Sequence, residues 1–230
     1  FKQKTAYEML RSLVGSEMCI RDRSVAADVA GFYQKSIRIA QKDLNLAFGG
    51  NISNIGNKIS YTETSTRDFI PINLRLGTAV SMDFDEYNRM SFAFDINKLL
   101  VPTPPIYNDT IQGQIDYGKD PNVSVVSGIF QSFGDAPNGF KEEMREINFS
   151  LGTEYWYADQ FALRAGYFYE HDTKGGRKFF TFGSGVKYNV FALDFSYLIN
   201  ASRSINGNNP LANTMRFTLV FDFGEMEILN

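Results

Sequence analysis

MRFTLVFDF, residues 215–223, is the stretch from which the fold is read. Met215, Phe217, Leu219, Phe221 and Phe223 occupy the odd positions, while Arg216, Thr218 and Asp222 fall on the even ones. Side chains of a strand alternate between two faces, so this stretch presents one wholly apolar face and one that carries the charges. Wound as a helix, the same residues would scatter an arginine and an aspartate around an apolar girth.

Moving outward from this strand, the period of two recurs at 191–199, 161–169, 147–157, 88–97 and 74–84. It is present but diluted by Gly and Ala at 25–33, 44–52 and 179–188. The reading is nine strands, several of about 9–11 residues, the length that crosses a bilayer at a tilt. Strands of soluble proteins are usually about 5–6 residues. The connections at 85–87, 158–160 and 189–190 are tight, whereas 53–73, 98–146, 170–178 and 200–214 are long. Only 35–43 is intermediate, at a place where the alternation predicts a short turn.

Membrane barrels of bacteria pair short periplasmic turns with long extracellular loops and keep both termini inside with an even strand number. The pattern predicts a transmembrane antiparallel β-barrel whose last strand ends on the periplasmic side and whose first readable strand enters from outside. An odd count entered from outside predicts at least one preceding strand, so 24–230 is expected to be the C-terminal part of a barrel domain. Residues 1–23 (FKQKTAYEMLRSLVGSEMCIRDR) lack the alternation and have no apolar signal-peptide core. They resemble a translated adaptor-like leader and are expected to be non-native, with a short amphipathic helix at 6–14 as the other reading.

Composition narrows the function. Of the 230 residues 15% are aromatic, with 21 Phe and 12 Tyr, which favours strands over helices. A net charge of −3 disfavours a phosphate-binding surface, so no nucleic-acid partner is expected. No run of 18 apolar residues exists to form a transmembrane helix. One cysteine, Cys19, allows no internal disulfide, and no Cys/His spacing suits zinc.

The phase of the strands predicts that Arg75, Asp83, Arg89, Asp95, Glu154, Arg164, Asp194, Arg216 and Asp222 share the inward face. Both signs occur there, so they are expected to pair, either filling a narrow barrel or tuning a polar passage. The connection 98–146 is too long to be passive; VPTPP at 101–105 predicts an extended entry, and 123–130 a short helix or strand over the barrel mouth. Chemistry is sparse. His171 beside Asp172 has no spaced nucleophile, Asp83, Asp85 and Glu86 lack calcium-loop spacing, and Gly183-Ser184-Gly185 is too short to cradle phosphate. No catalytic, cofactor-binding or metal residue is assigned, and no enzyme activity or cofactor is expected.

LNLAFGGNISNIGNKISY at 44–61 and DFIPINLRLGTAV at 68–80 resemble the NIG-and-IP signature of the PorV/PorQ branch of FadL-like barrels. REINFSLGTEYWYADQFALRAGYFYE at 145–170 and FFTFGSGVKYNVFALDFSYLI at 179–199 resemble the PorV (LptO) type within it. The resemblance implies a complete barrel of about 14 strands, of which about five precede those read here. It further implies an outer-membrane component of the type IX secretion system, one that binds C-terminal signal domains of cargo and carries them from translocon to attachment complex. Partners would then be lipid, translocon and attachment-complex proteins and cargo, met on 98–146, 170–178 and 200–214. The remaining readings are a FadL-type channel for hydrophobic small molecules and a soluble ligand-binding barrel with its faces reversed.

Overall fold

The computed structural model describes residues 24–39, 42–59, 67–111, 113–201 and 213–222. Nine strands form one sheet: β1 (Ala26–Ile39), β2 (Lys42–Gly56), β3 (Asn73–Asp83), β4 (Asn88–Leu99), β7 (Ile147–Tyr157), β8 (Phe161–Tyr169), β9 (Lys178–Tyr188), β10 (Phe191–Asn200) and β11 (Met215–Phe221). They lie side by side in chain order, every neighbour antiparallel. Between β4 and β7 the chain leaves the sheet to form a small hairpin, β5 (Ile106–Tyr107) with β6 (Ile115–Tyr117), and two short helices, α1 (Val125–Gln131) and α2 (Phe140–Arg145). Among the described residues β1 and β11 do not pair with each other, so the sheet is an open arc of an all-β barrel.

The nine expected strands are all present. The link at 35–43 is corrected: β1 runs to Ile39 and β2 resumes at Lys42, leaving a two-residue connection where the alternation called for a short one. The last strand ends at Phe221, so Asp222 lies just past it and Phe223 falls outside the described residues. Residues 1–23, including Cys19 and the helix considered at 6–14, and most of the 200–214 connection also lie outside them.

Register carries the odd positions of β11 onto one continuous face. Leu219 opposes Leu193, which opposes Val186, and Phe217 opposes Phe195. The same face continues through Leu163, Leu151, Phe94, Phe92, Val80 and Leu46. Many of these large apolar side chains are exposed, and among the described residues only Ile72, Leu100, Ala136, Ala162 and Phe179 are buried apolar side chains. A continuous apolar surface of this extent is foreign to a water-soluble monomer and suits a hydrocarbon solvent. Tyrosines border it at both ends. Tyr155, Tyr157 and Tyr188 stand near the short turns, and Tyr167, Tyr169 and Tyr197 near the long connections, as in the aromatic girdles of membrane barrels. No described helix is long and apolar enough to cross a membrane.

The opposite face is concave and carries the charges. Its hollow of about 680 Å³ is bordered by Asp95, Glu154, Arg164 and Asp194, among others. The expected pairing is realised there. Arg164 Nε meets Glu154 at 2.5 Å and its Nη1 meets Asp194 at 2.5 Å, while Arg89 Nε meets Asp83 at 2.7 Å. Arg75 donates to Asn97 at 2.9 Å.

Arg164 reaches Asp194 across an intervening strand, and the glycines at 183 and 185 make this possible. Arg164 lies opposite Gly183 on β9, and Asp194 opposite Gly185 from the other side. A Cβ at 185 would run into the Asp194 carboxylate and come within 3.0 Å of Arg164 Nη1. Gly185→Ala is expected to lower barrel melting by about 1 kcal/mol, the scale of a partly exposed ion pair displaced from its geometry. In a double-mutant cycle the same change in an Asp194→Ala background costs less; equal costs in both backgrounds would show that the ion pair is not what Gly185 protects.

Candidate functional site

Among the described residues the titratable side chains singled out in the sequence serve turns and ion pairs. His171 Nδ1 accepts from the Thr173 backbone N–H at 3.2 Å and caps the single 3-10 turn Asp172–Lys174. Asp83 is paired with Arg89, and Asp85 accepts from the Tyr87 and Asn88 backbone N–H groups, which close the β3–β4 turn and hold the Asp85 carboxyl below its usual range. No three His, Cys, Asp or Glu side chains converge as metal ligands among the described residues.

What the long connections build instead is a cap over one end of the strands. The first prolines hold the chain extended as it leaves β4, since proline fixes its own φ and restricts the residue before it. Ser124 then opens α1 by accepting from Ser127 N–H at 3.2 Å. Gly128 lies in the middle of α1, buried where a Cβ would strike Phe69 and approach Pro102 to 3.2 Å, so a glycine lets the helix sit close to the barrel rim. The segment read as a short helix or strand is thus a helix, ordered and packed.

The cap is anchored by charge. Lys98, the penultimate residue of β4, is buried, and its Nζ contacts Glu143 at 3.1 Å and Glu146 at 2.7 Å. The other Glu143 oxygen accepts the backbone N–H groups of Asp135 (2.7 Å) and Ala136 (2.8 Å), tying α2 to the turn before it. Glu146 also accepts from the Thr103 hydroxyl at 2.7 Å and from Lys174 at 2.9 Å, and Lys174 reaches Glu142 at 2.8 Å. One network therefore joins β4, the 98–146 connection and the 170–178 connection. Within the latter, buried Glu170 accepts Arg177 Nε and Nη2 at 2.7 and 2.8 Å, and Gly175, at φ 128°, leaves room for the Glu170 carboxylate.

These contacts set the cap's response to pH. Lys174, with Asn138, holds the Glu142 carboxyl below its usual range. Burial pushes Glu146 up, but hydrogen bonds from Lys98, Lys174 and Thr103 outweigh it and the net direction is down. Burial pushes Asp135 the other way, up, assisted by repulsion from Glu143 and Glu146 against the opposing Thr103 hydrogen bond. Carboxyls lowered on folding stabilise the cap above their unfolded value of about 4.3 and cease to do so as pH falls through their folded values. Asp135, raised on folding, contributes the opposite slope and blunts the loss. Protease resistance of 106–140 is expected to hold at pH 7 and to fall in acid below pH ~4, read by gel after limited proteolysis; resistance that improves in acid would show that Asp135 dominates.

Away from the barrel the cap shows apolar side chains to solvent. Val126 and Phe130, one turn apart on α1, are exposed, Phe130 by 74%. Ile106, Tyr107, Ile111 and Tyr117 of the β5–β6 hairpin are exposed as well.

The family described as Type IX secretion system protein PorV matches residues 10–106, which take in β1 to β4 and reach the first residue of β5. Over that stretch the chain is similar to the PorV family. The match takes in the strings at 44–61 and 68–80 that carried the resemblance, whereas those at 145–170 and 179–199 lie beyond it. No curated protein matches the chain. Beside this likeness to a type IX secretion system family, the described residues place an apolar sheet face, a charged concave face and an ordered cap on one scaffold.

Proposed function

We propose that this chain serves in the bacterial outer membrane as the type IX component that binds C-terminal signal domains of secreted cargo and passes them from translocon to attachment complex. The observation that carries the reading is the cap. Two long connections are fastened to each other and to β4 by one buried charge network, and the platform so formed turns Val126 and Phe130 outward. Aromatic and aliphatic side chains held on a rigid support are what a protein-binding surface needs, because little ordering entropy is lost on docking. The apolar outer face and its tyrosine borders support the membrane location. The chain acts by binding, and its residual reading as a hydrophobic-solute channel fits less well with a concave face bearing Asp95, Glu154, Arg164 and Asp194.

Affinity purification of the full-length protein from native outer membranes is expected to recover translocon subunits and cargo bearing type IX C-terminal signals. Val126→Asp/Phe130→Asp is expected to reduce cargo recovery about tenfold, equivalent to about 1.4 kcal/mol, while the barrel stays heat-modifiable. Recovery of neither translocon nor cargo from the unaltered protein would refute the proposal.

A further inference from the structure

We propose that the Asn54-Ile55-Gly56 bulge of β2, together with the 68–72 segment it clamps, is the device that positions helix α1 and so turns Val126 and Phe130 toward cargo. The inference rests on the protein-binding reading given above and makes Asn54, Gly56 and Phe69 positioning residues of that surface. Ala27 pairs with Ile55 and Val29 with Ile52, so Ser53 and Asn54 of β2 stand against Asp28 alone. An extra residue of this kind bends the strand and leaves ladder groups to be satisfied in another way. Asn54 takes it up with φ at 60°, a left-handed backbone that asparagine adopts more readily than most residues. Its backbone N–H donates to the Asp28 carboxylate at 2.7 Å, and its Nδ2 donates to the Pro71 carbonyl at 3.1 Å. Gly56 approaches the same segment by having no side chain, since a Cβ there would collide with the Val25 carbonyl and stand 2.8 Å from Ile70 Cδ1. The first and last residues of Asn54-Ile55-Gly56 therefore grip Ile70-Pro71, and two strings separated in the sequence form one joint in the fold.

The joint continues into the cap. Ile72 is fully buried, and its carbonyl accepts the Leu100 N–H at 2.8 Å where the 98–146 connection begins. Upstream, Ile59 and Asp68 exchange two backbone hydrogen bonds of 2.8 Å. Phe69 is held between these ties, with Lys58 Nζ 4.3 Å from its ring centre. Its ring lies where a Cβ on Gly128 would come within 2.6 Å of Cε1 and Cζ. Residues two apart on a helix point about 200° from each other, so seating Gly128 on Phe69 sends Val126 and Phe130 away from the rim. Both are accordingly exposed. Helix α1 has little else to fix its direction. It has seven residues, well short of what makes a helix stable alone, and no charged side chain in its first or last turn. The ion pairs that fasten α2 take no side chain from α1. What α1 rests on is Phe69, with Pro102 beside it, and Phe69 stands where the bulge puts it.

The test uses the full-length protein, carrying Cys19→Ser and purified from its own membrane, with two readouts on each variant. The direction of α1 is read by pulsed electron paramagnetic resonance between spin labels at Ser127→Cys on α1 and Glu86→Cys in the β3–β4 turn. Capture is read without labels, with a purified signal domain of a cargo recovered by the unaltered protein. Asn54→Val, a branched residue forced into a left-handed backbone, and Gly56→Val should each shift and broaden the distance and lower capture about tenfold, while the barrel stays heat-modifiable. Asn54→Gly, which takes that backbone freely, should keep more of both than Asn54→Val. Gly128→Ala should likewise move the helix and weaken capture, and Phe69→Leu, which lacks Cε1 and Cζ, should restore both in the Gly128→Ala background. The Gly128 and Phe69 variants leave the strand ladder untouched, so they decide the matter even where Gly56→Val fails to assemble. An unmoved distance in Asn54→Val, no recovery on adding Phe69→Leu to Gly128→Ala, or full capture with the helix displaced overturns the proposal. Absent capture by the unaltered protein counts instead against the secretory reading, and the distances then still show whether the joint aims the helix.

Discussion

Leu219→Arg is expected to abolish assembly of the barrel, while Thr218→Arg one residue away is tolerated. Leu219 faces outward between its partner Leu193 and the exposed apolar surface, and a guanidinium in mid-membrane there costs roughly 2–4 kcal/mol. Thr218 faces the concave side directly opposite Asp194, whose carboxylate Arg164 engages through one oxygen. An arginine at 218 thus enters water beside a carboxylate. Heat-modifiable gel mobility of membrane-extracted protein reads the difference. Equal loss for both variants would remove the assignment of faces on which the membrane reading depends.

Lys98→Met is expected to release the cap without unfolding the strands. Removing one partner of a buried ion pair typically costs about 3–5 kcal/mol, because the remaining charge is left in a dehydrated site. Here the cost falls near the lower end. Glu143 keeps its two backbone donors and Glu146 keeps Thr103 and Lys174. The consequence is local, since the ammonium of Lys98 at the end of β4 pairs with Glu143 and Glu146 of the cap. Hydrogen exchange across 100–146 should rise in Lys98→Met while exchange in β7 to β10 stays slow, and Lys98→Met/Glu143→Gln should recover part of the protection by removing one stranded charge. Unchanged exchange in the cap would mean that its packing against Phe69 and Pro102 holds it without the network.

The strands were legible because a lipid-facing sheet imposes a period of two on the chain, and Met215, Phe217, Leu219 and Phe221 keep it, with Val220 the apolar exception among the even positions. Where strands leave the hydrocarbon that constraint lapses. Lys35, Ser36, Arg38, Lys42 and Asp43 therefore read as a loop, although they form the ends of β1 and β2, held by cross-strand pairs such as Arg38 Nε to Asp43 at 2.7 Å and Ser36 to Asn45 at 2.5 Å. The inward charges were placed on the right face by parity, but parity is silent about partners. That Arg164 bridges both Glu154 and Asp194 depends on two glycines in the strand between. The cap was the least readable element. Lys98 lies 45 and 48 residues from Glu143 and Glu146, and Lys174 lies 28 beyond Glu146, separations at which spacing carries no signal. Gly128 argues locally against a helix and is explained only by Phe69 lying against it.

Water accessibility along one strand tests the central claim most directly. Single cysteines at Met215 through Phe221, in a Cys19→Ser background and with the protein in native membranes, are to be challenged with a water-soluble maleimide. Labelling is expected at 216, 218 and 220 and protection at 217, 219 and 221, the register in which the odd face meets hydrocarbon. Labelling of 217 and 219 with protection of 216 and 218 would place the apolar face inside and contradict the membrane barrel.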